Sequence, residues 1–106
     1  MPKGMGGLGS LGKKFGDMQR RMAEMQESLK NRIVDGSSGG GTVQAFVNGR
    51  KELVSIKIDP EVVDPDDTEM LEDLILAAIK QGMDKAEEMA NEEMAKLTGG
   101  LGLPGM

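Results

Sequence analysis

The sequence predicts an α+β protomer: an N-terminal helix, a three-stranded antiparallel sheet and a long C-terminal helix, completed by a second copy of the chain. Three observations lead there. Leu8, Leu11, Phe15, Met18, Met22, Met25 and Leu29 recur at alternating steps of 3 and 4, a heptad seam whose a and d positions are all apolar. Two β-rich segments flank Asn48-Gly49, the strongest short hairpin signal. A run opening Asp64-Pro65-Asp66-Asp67 then carries helical apolar periodicity as far as Gly99-Gly100.

Taken in order, residues 1–9 read as a Gly-rich tail, because Gly loses the most entropy on ordering. Ser10 is a suitable N-cap for a helix to about Asn31. That helix is about 30 Å long at ~1.5 Å per residue, more than a small core covers at every turn. Ile33-Val34 starts a first strand, which the Gly36-Ser37-Ser38-Gly39-Gly40-Gly41 run is expected to break or bulge. Thr42–Val47 and Glu52–Ile58 follow as a hairpin. With an even loop, Val43, Ala45, Val47, Val54, Ile56 and Ile58 share one apolar face, and Phe46 and Leu53 form a smaller pair on the other.

Asp64 is placed at the N-cap and Pro65 at the first position of the last helix, with Asp66 and Asp67 meeting the positive end of its dipole. Apolar residues wrap most of its circumference from Met70 to Ile79. They thin to a band of Met83, Ala86, Met89, Ala90, Met94 and Leu97. The first half should therefore be buried on the sheet and the second half should protrude. Gly82, at the changeover, costs about 1 kcal/mol relative to Ala and implies a close backbone crossing. The expected organisation is one unit over 10–97 between tails at 1–9 and 98–106. A lone copy would leave two apolar bands in water, so a homodimer is expected. Its interface would use Phe15, Met18, Met22, Met25, Leu29, Met83, Ala86, Met89 and Ala90.

The 106 residues include no Cys, His, Trp or Tyr. That removes disulfides, thiolate or imidazole metal sites and Cys or His catalysis. With only two Phe, stacking of bases on aromatic platforms is also disfavoured. No metal, cofactor or small-molecule substrate is expected. No apolar run approaches the roughly 18–20 residues of a membrane span, and the start lacks a signal-peptide core, so a cytoplasmic protein is expected. Gly39-Gly40-Gly41-Thr42 lacks the Gly-Lys-Ser/Thr of a phosphate loop. The acidic cluster from Asp59 to Glu69 lacks the calcium-loop alternation and reads as a helix start with solvated surface. Adjacent carboxylates such as Glu72/Asp73 lie on solvated faces, and no enzymatic activity is expected.

Charge is uneven. The chain carries −5 overall, yet residues 1–32 hold seven basic and three acidic groups, net +4, and the remainder is −9. Lys13, Lys14, Arg20 and Arg21 occupy the f and g places of two successive heptads beside the apolar seam. Their e-place neighbours Gln19 and Gln26 are neutral, so no g–e ion pair occupies these cations. A ridge of this kind can neutralise phosphates without reading bases, which makes these four the candidate contacts for an external anion.

Several ordered pieces resemble the YbaB/EbfC family of small bacterial nucleoid-associated proteins. They are Met18-Gln19 … Met25-Gln26-Glu27, Gly41-Thr42-Val43 … Val47-Asn48-Gly49, Val54-Ser55-Ile56-Lys57-Ile58-Asp59-Pro60, Glu69-Met70-Leu71-Glu72-Asp73-Leu74-Ile75 … Ala77-Ala78 and Leu103-Pro104-Gly105. The resemblance covers nearly the whole length. It implies an intertwined homodimer with protruding helices, located in the nucleoid, that binds DNA with low sequence specificity. It further implies that binding alters DNA conformation in nucleoid organisation and gene regulation. The family supplies no catalytic residues and no fixed DNA-contact motif, so the basic ridge stands on the residues alone. The acidic body and Met-rich seam leave a second reading open: a helical protein-interaction or scaffold module that ignores DNA.

Overall fold

A computed structural model describes residues 2–99, with side chains described for 12–97. The elements are α1 (Pro2–Asn31), β1 (Ile33–Ser38), β2 (Val43–Asn48), β3 (Leu53–Ile58) and α2 (Thr68–Gly99), with short 3₁₀-type turns at Gly39–Gly41 and Pro60–Val62. The three strands form one antiparallel sheet in the order β1-β2-β3. The helix–sheet–helix order and the α+β class are those expected.

Helix α1 starts at Pro2, not at the Ser10 cap. Residues 2–9, expected as a tail, are helical because propagation from a formed helix fixes one residue per hydrogen bond gained, whereas nucleation fixes several. Residues 100–106 of the other expected tail lie outside the described residues. Strand β1 runs through Gly36-Ser37-Ser38, and the break comes at Gly39–Gly41, which take φ of 59°, 70° and 95°.

Gly36 is tolerated inside a strand because α2 lies directly on it. A Cβ there would collide with the Ala78 carbonyl oxygen and the Gly82 nitrogen. A Cβ on Gly82 would stand 2.8 Å from Val47 Cγ2 and 3.4 Å from the Gly36 nitrogen. This is the close crossing that Gly82 implied. Beside it, Ser38 Oγ donates to the Leu74 carbonyl at 2.6 Å and the Ser37 N–H donates to Gln81 Oε1 at 2.8 Å.

The buried residues of α2 are Ala78, Gly82, Ala86 and Met89, a stripe of mostly small side chains along the middle and second half. Burial is therefore not confined to the first half, where Leu76 is 65 % exposed. Small residues one turn apart let the helix axis approach the sheet, and that approach decides what is covered. The core joins Val43, Ala45 and Ala78 to Ile58, Val62, Leu71, Leu74, Ile75 and Ile79.

The hairpin departs from the expected register. Val43 faces Ile58 and Ala45 faces Ile56, but a bulge past Phe46 places Leu53, not Val54, opposite Val47. Leu53 is thus Val47's cross-strand neighbour and not Phe46's. Nor are Asn48-Gly49 the two central residues of the turn. The Lys51 N–H donates to the Asn48 carbonyl at 2.9 Å, and Lys51 takes the positive φ of 62°. Buried Asn48 accepts the Arg50 and Glu52 N–H groups on Oδ1 and donates Nδ2 to Glu52.

Gly49 serves another purpose. Its N–H donates to the carbonyls of Leu29 (2.8 Å) and Arg32 (3.0 Å), and a Cβ would stand 2.8 Å from Leu29 Cδ2. The glycine is a seat for the last turn of α1. A second tie is the Arg32 guanidinium donating to Glu93 of α2 at 2.6 Å, with Lys96 donating to the same carboxylate at 3.3 Å.

Helix α2 begins at Thr68, later than the Asp64 cap expected. The Asp67 carboxylate accepts the Met70 N–H and caps it, whereas Asp64 accepts the Asp66 N–H in a preceding turn. Asp59 likewise accepts the Glu61 N–H at the 3₁₀ turn.

The result is elongated, 78 × 27 × 17 Å with a radius of gyration of 21.1 Å. A compact chain of this length has about 13 Å.

Two outcomes follow from this packing. Gly36→Ala should destabilise by about 3 kcal/mol, because backbone must move to admit the methyl. Gly16→Ala, where nothing lies within 4 Å, should not destabilise at all. Paired thermal melts check the contrast. The hydrogen bond from Arg32, and then that from Lys96, holds the Glu93 carboxyl below its ordinary pKa. A depressed carboxyl pKa contributes stability that is present above the unfolded-state value and lost as pH falls through the folded one. Melting temperature should therefore fall less from pH 6 to pH 3 in Glu93→Gln than in the parent.

Candidate nucleic-acid interface

The seam on α1 is buried as a gradient. Leu29 is 2 % exposed, Met25, Met22 and Met18 are half-buried, and Phe15 is 66 % exposed. The side chains of Leu8 and Leu11 lie outside the described residues. Leu29, Ala86 and Met89, expected at a dimer interface, are already buried within one chain. Phe15 is open and Met18, Met22, Met25, Met83 and Ala90 are half-buried. The proximal seam is therefore closed within the protomer, because the Gly49 seat brings α1 back against the hairpin. Among the described seam residues, Phe15 is the one left open.

All four basic candidates lie on α1 and are exposed. Arg20 pairs with Asp17 at 3.0 Å and with Glu24 at 4.0 Å. Exposed pairs of this spacing are worth about 0.3–0.5 kcal/mol and exchange readily for another anion. Among the described residues, no ion pair engages Lys13, Lys14 or Arg21. The g column sets the position of two recesses. Lys14 and Arg21 line one of about 260 Å³ with Asp17 and Met18. Arg21 and Ser28 line an open cleft of about 350 Å³ between the helices, with Glu24 and Met25 of α1 and Glu93, Lys96 and Leu97 of α2.

Lys96 and Arg32 are absent from the sequence-derived set. Arg32 and Glu93 are 61 positions apart, so no local spacing could reveal their pairing. Lys96 carries only the signal of a cation in the last turn of a helix, which the dipole alone explains. At the hairpin tip, Lys51 pairs with Glu87 at 3.5 Å. The carboxylates of Asp59, Asp64 and Asp67 are engaged by backbone N–H groups, which accounts for much of the acidic cluster as turn and cap chemistry.

Beyond its charge, the strongest exposed feature is β3. Leu53, Val54 and Ile56 are 42, 56 and 37 % exposed, because α2 lies over β1 and β2 and leaves the third strand bare. Among the described residues, no helix is long and apolar enough to cross a membrane.

Comparison with known proteins places this architecture. The chain is 60 % identical over 89 residues to a nucleoid-associated protein of Caldanaerobacter subterraneus, covering 84 % of this chain and 80 % of the relative. It is 52 % identical over 105 residues to a nucleoid-associated protein of Clostridium perfringens, covering 99 % and 94 %. The crystal structure of an uncharacterized Helicobacter pylori protein, HP0035, superposes with a TM-score of 0.73 at 28 % identity, over 82 % of this chain and 91 % of that one. Residues 5–101 match the model of the YbaB/EbfC DNA-binding family. With helix, one-faced sheet and long second helix in the same order, and identities above one half along nearly the full chain, this protein belongs to the YbaB/EbfC DNA-binding family.

Proposed function

We propose that the protein acts as a homodimer in the nucleoid, where it binds duplex DNA through phosphates, with low sequence specificity, and alters DNA conformation. It needs no cofactor and catalyses no reaction. The observation that carries this reading is the distal half of α1, an exposed helix with Lys13, Lys14 and Arg21 free of ion pairs among the described residues. Such a surface is suited to the phosphate backbone, contacts that position a protein on the duplex without carrying sequence information. The nucleoid-associated names of the relatives support the location and the DNA partner.

The bare strand β3 supports the dimer. Leu53, Val54 and Ile56 form an apolar surface that a second copy would cover, and a dimer doubles the number of basic arms. Phe15, Met18 and Met22 extend the available apolar surface along the arm. The cytoplasmic −9 body is then held off the DNA while the +4 arms reach it.

Reversing Lys13, Lys14, Arg20 and Arg21 to Glu should weaken binding at least tenfold on every duplex alike in a gel-shift titration at low salt. Binding by the parent should fall linearly in log–log terms as salt rises. A quadruple variant that binds as tightly as the parent overturns the ridge. A parent that shifts no duplex at micromolar concentration favours the scaffold reading. Separately, sedimentation equilibrium should give twice the chain mass for the parent and a shift toward the single mass for Ile56→Asp.

A further inference from the structure

We propose that Arg21 of α1 and Lys96 of α2 form a two-helix clamp for one phosphodiester of duplex DNA, with Glu93 as its internal competitor. The inference rests on the DNA-binding reading and extends it from one helix to two. Arg21 and Lys96, on different helices, line the same open cleft, together with Met25, Leu97 and Ser28. Arg21 has no ion pair among the described residues, and its guanidinium presents a fork of donors suited to phosphate.

Lys96 is 74 % exposed, and its pairing with Glu93 is the weaker of two on that carboxylate: 3.3 Å against 2.6 Å for Arg32. Glu93 is only 25 % exposed and stays anchored by Arg32 when Lys96 leaves. An incoming phosphate therefore takes Lys96 at the cost of an exposed pair and leaves the tie between α1 and α2 intact. Glu24 also lines the cleft, and the C-terminal end of α2 is the negative end of its dipole. Both oppose a second anion, so occupancy requires the two cations together. Because they come from different helices, the site exists only while α1 is seated on Gly49 and tied to Glu93. Phosphate binding then stiffens the arm at its base.

The test is a gel-shift or fluorescence-anisotropy titration of one duplex with the full-length protein across salt. Lys96→Gln should weaken binding several-fold at low salt. It should also reduce the slope of log affinity on log salt by about 0.9 for each protomer engaged. Lys85→Gln, on the same helix but outside the cleft, should leave the slope unchanged. Thermal melts of Lys96→Gln should match the parent, which separates a lost contact from a lost fold. A slope equal to the parent's in Lys96→Gln, or an equal reduction in Lys85→Gln, overturns the clamp and leaves DNA binding standing. Failure of the parent to bind any duplex overturns both.

Discussion

The contact on which the rest of the molecule depends is the crossing of Gly36 in β1 over Gly82 in α2. No side chain separates the two backbones there, and a Cβ on Gly36 has no room beneath the Ala78 carbonyl. Close approach brings Ala78 against a sheet whose buried apolar β2 side chains, Val43, Ala45 and Val47, are only Val and Ala in size. The core is thin as a consequence. It gains its stability from fit more than from volume, since dispersion and water exclusion both reward contact at van der Waals distance. The hydrogen bonds of Ser37 and Ser38 to α2 lock the sliding coordinate that smooth small residues leave free.

That crossing also fixes what the helix fails to cover. A helix about 10 Å wide centred between β1 and β2 cannot shield β3 as well. Leu53, Val54 and Ile56 are the exposed remainder. The sheet is thus covered over two strands and bare on the third, and an exposed apolar patch of this kind marks an interaction surface.

Helix α1 adds little to that core. Its last turn sits on Gly49 and its end is tied through Arg32 to Glu93, while its distal half stands free. The division puts charge where it is useful. A net −9 body carrying the sheet would repel a nucleic acid; in the proposed function, contact through the basic arm lies beyond about a Debye length, ~8 Å at physiological salt, from most of that body. Near the base of the arm, Arg32 and Lys96 share the Glu93 carboxylate and Lys51 pairs with Glu87, whereas Lys13, Lys14 and Arg21 on the arm have no ion pair among the described residues.

Much of this was legible in the chain by itself. The heptad seam, the one-faced hairpin and the two-helix order follow from local periodicity, because side-chain direction repeats every 3.6 or 2 residues whatever the tertiary context. Gly82 announced a close crossing because a mid-helix glycine otherwise only costs stability. The basic ridge at Lys13, Lys14, Arg20 and Arg21 followed from the same heptad. Other features depended on partners remote in sequence. Gly49 was expected to supply turn geometry and instead makes room for Leu29, which lies twenty positions earlier. Val54 lost its place opposite Val47 to a bulge. Asp64 lost the cap to Asp67, whose carboxylate accepts the Met70 N–H, while Asp64 closes the turn before it. The proximal seam closed onto its own chain. Sequence alone determined the elements, their order and the sign of charge on each, since these are sums of local preferences. Only the tertiary structure decided which glycines are contacts and which cations are already paired. It also decided which apolar face is left open, since each of these is a distance between residues that the chain separates by tens of positions.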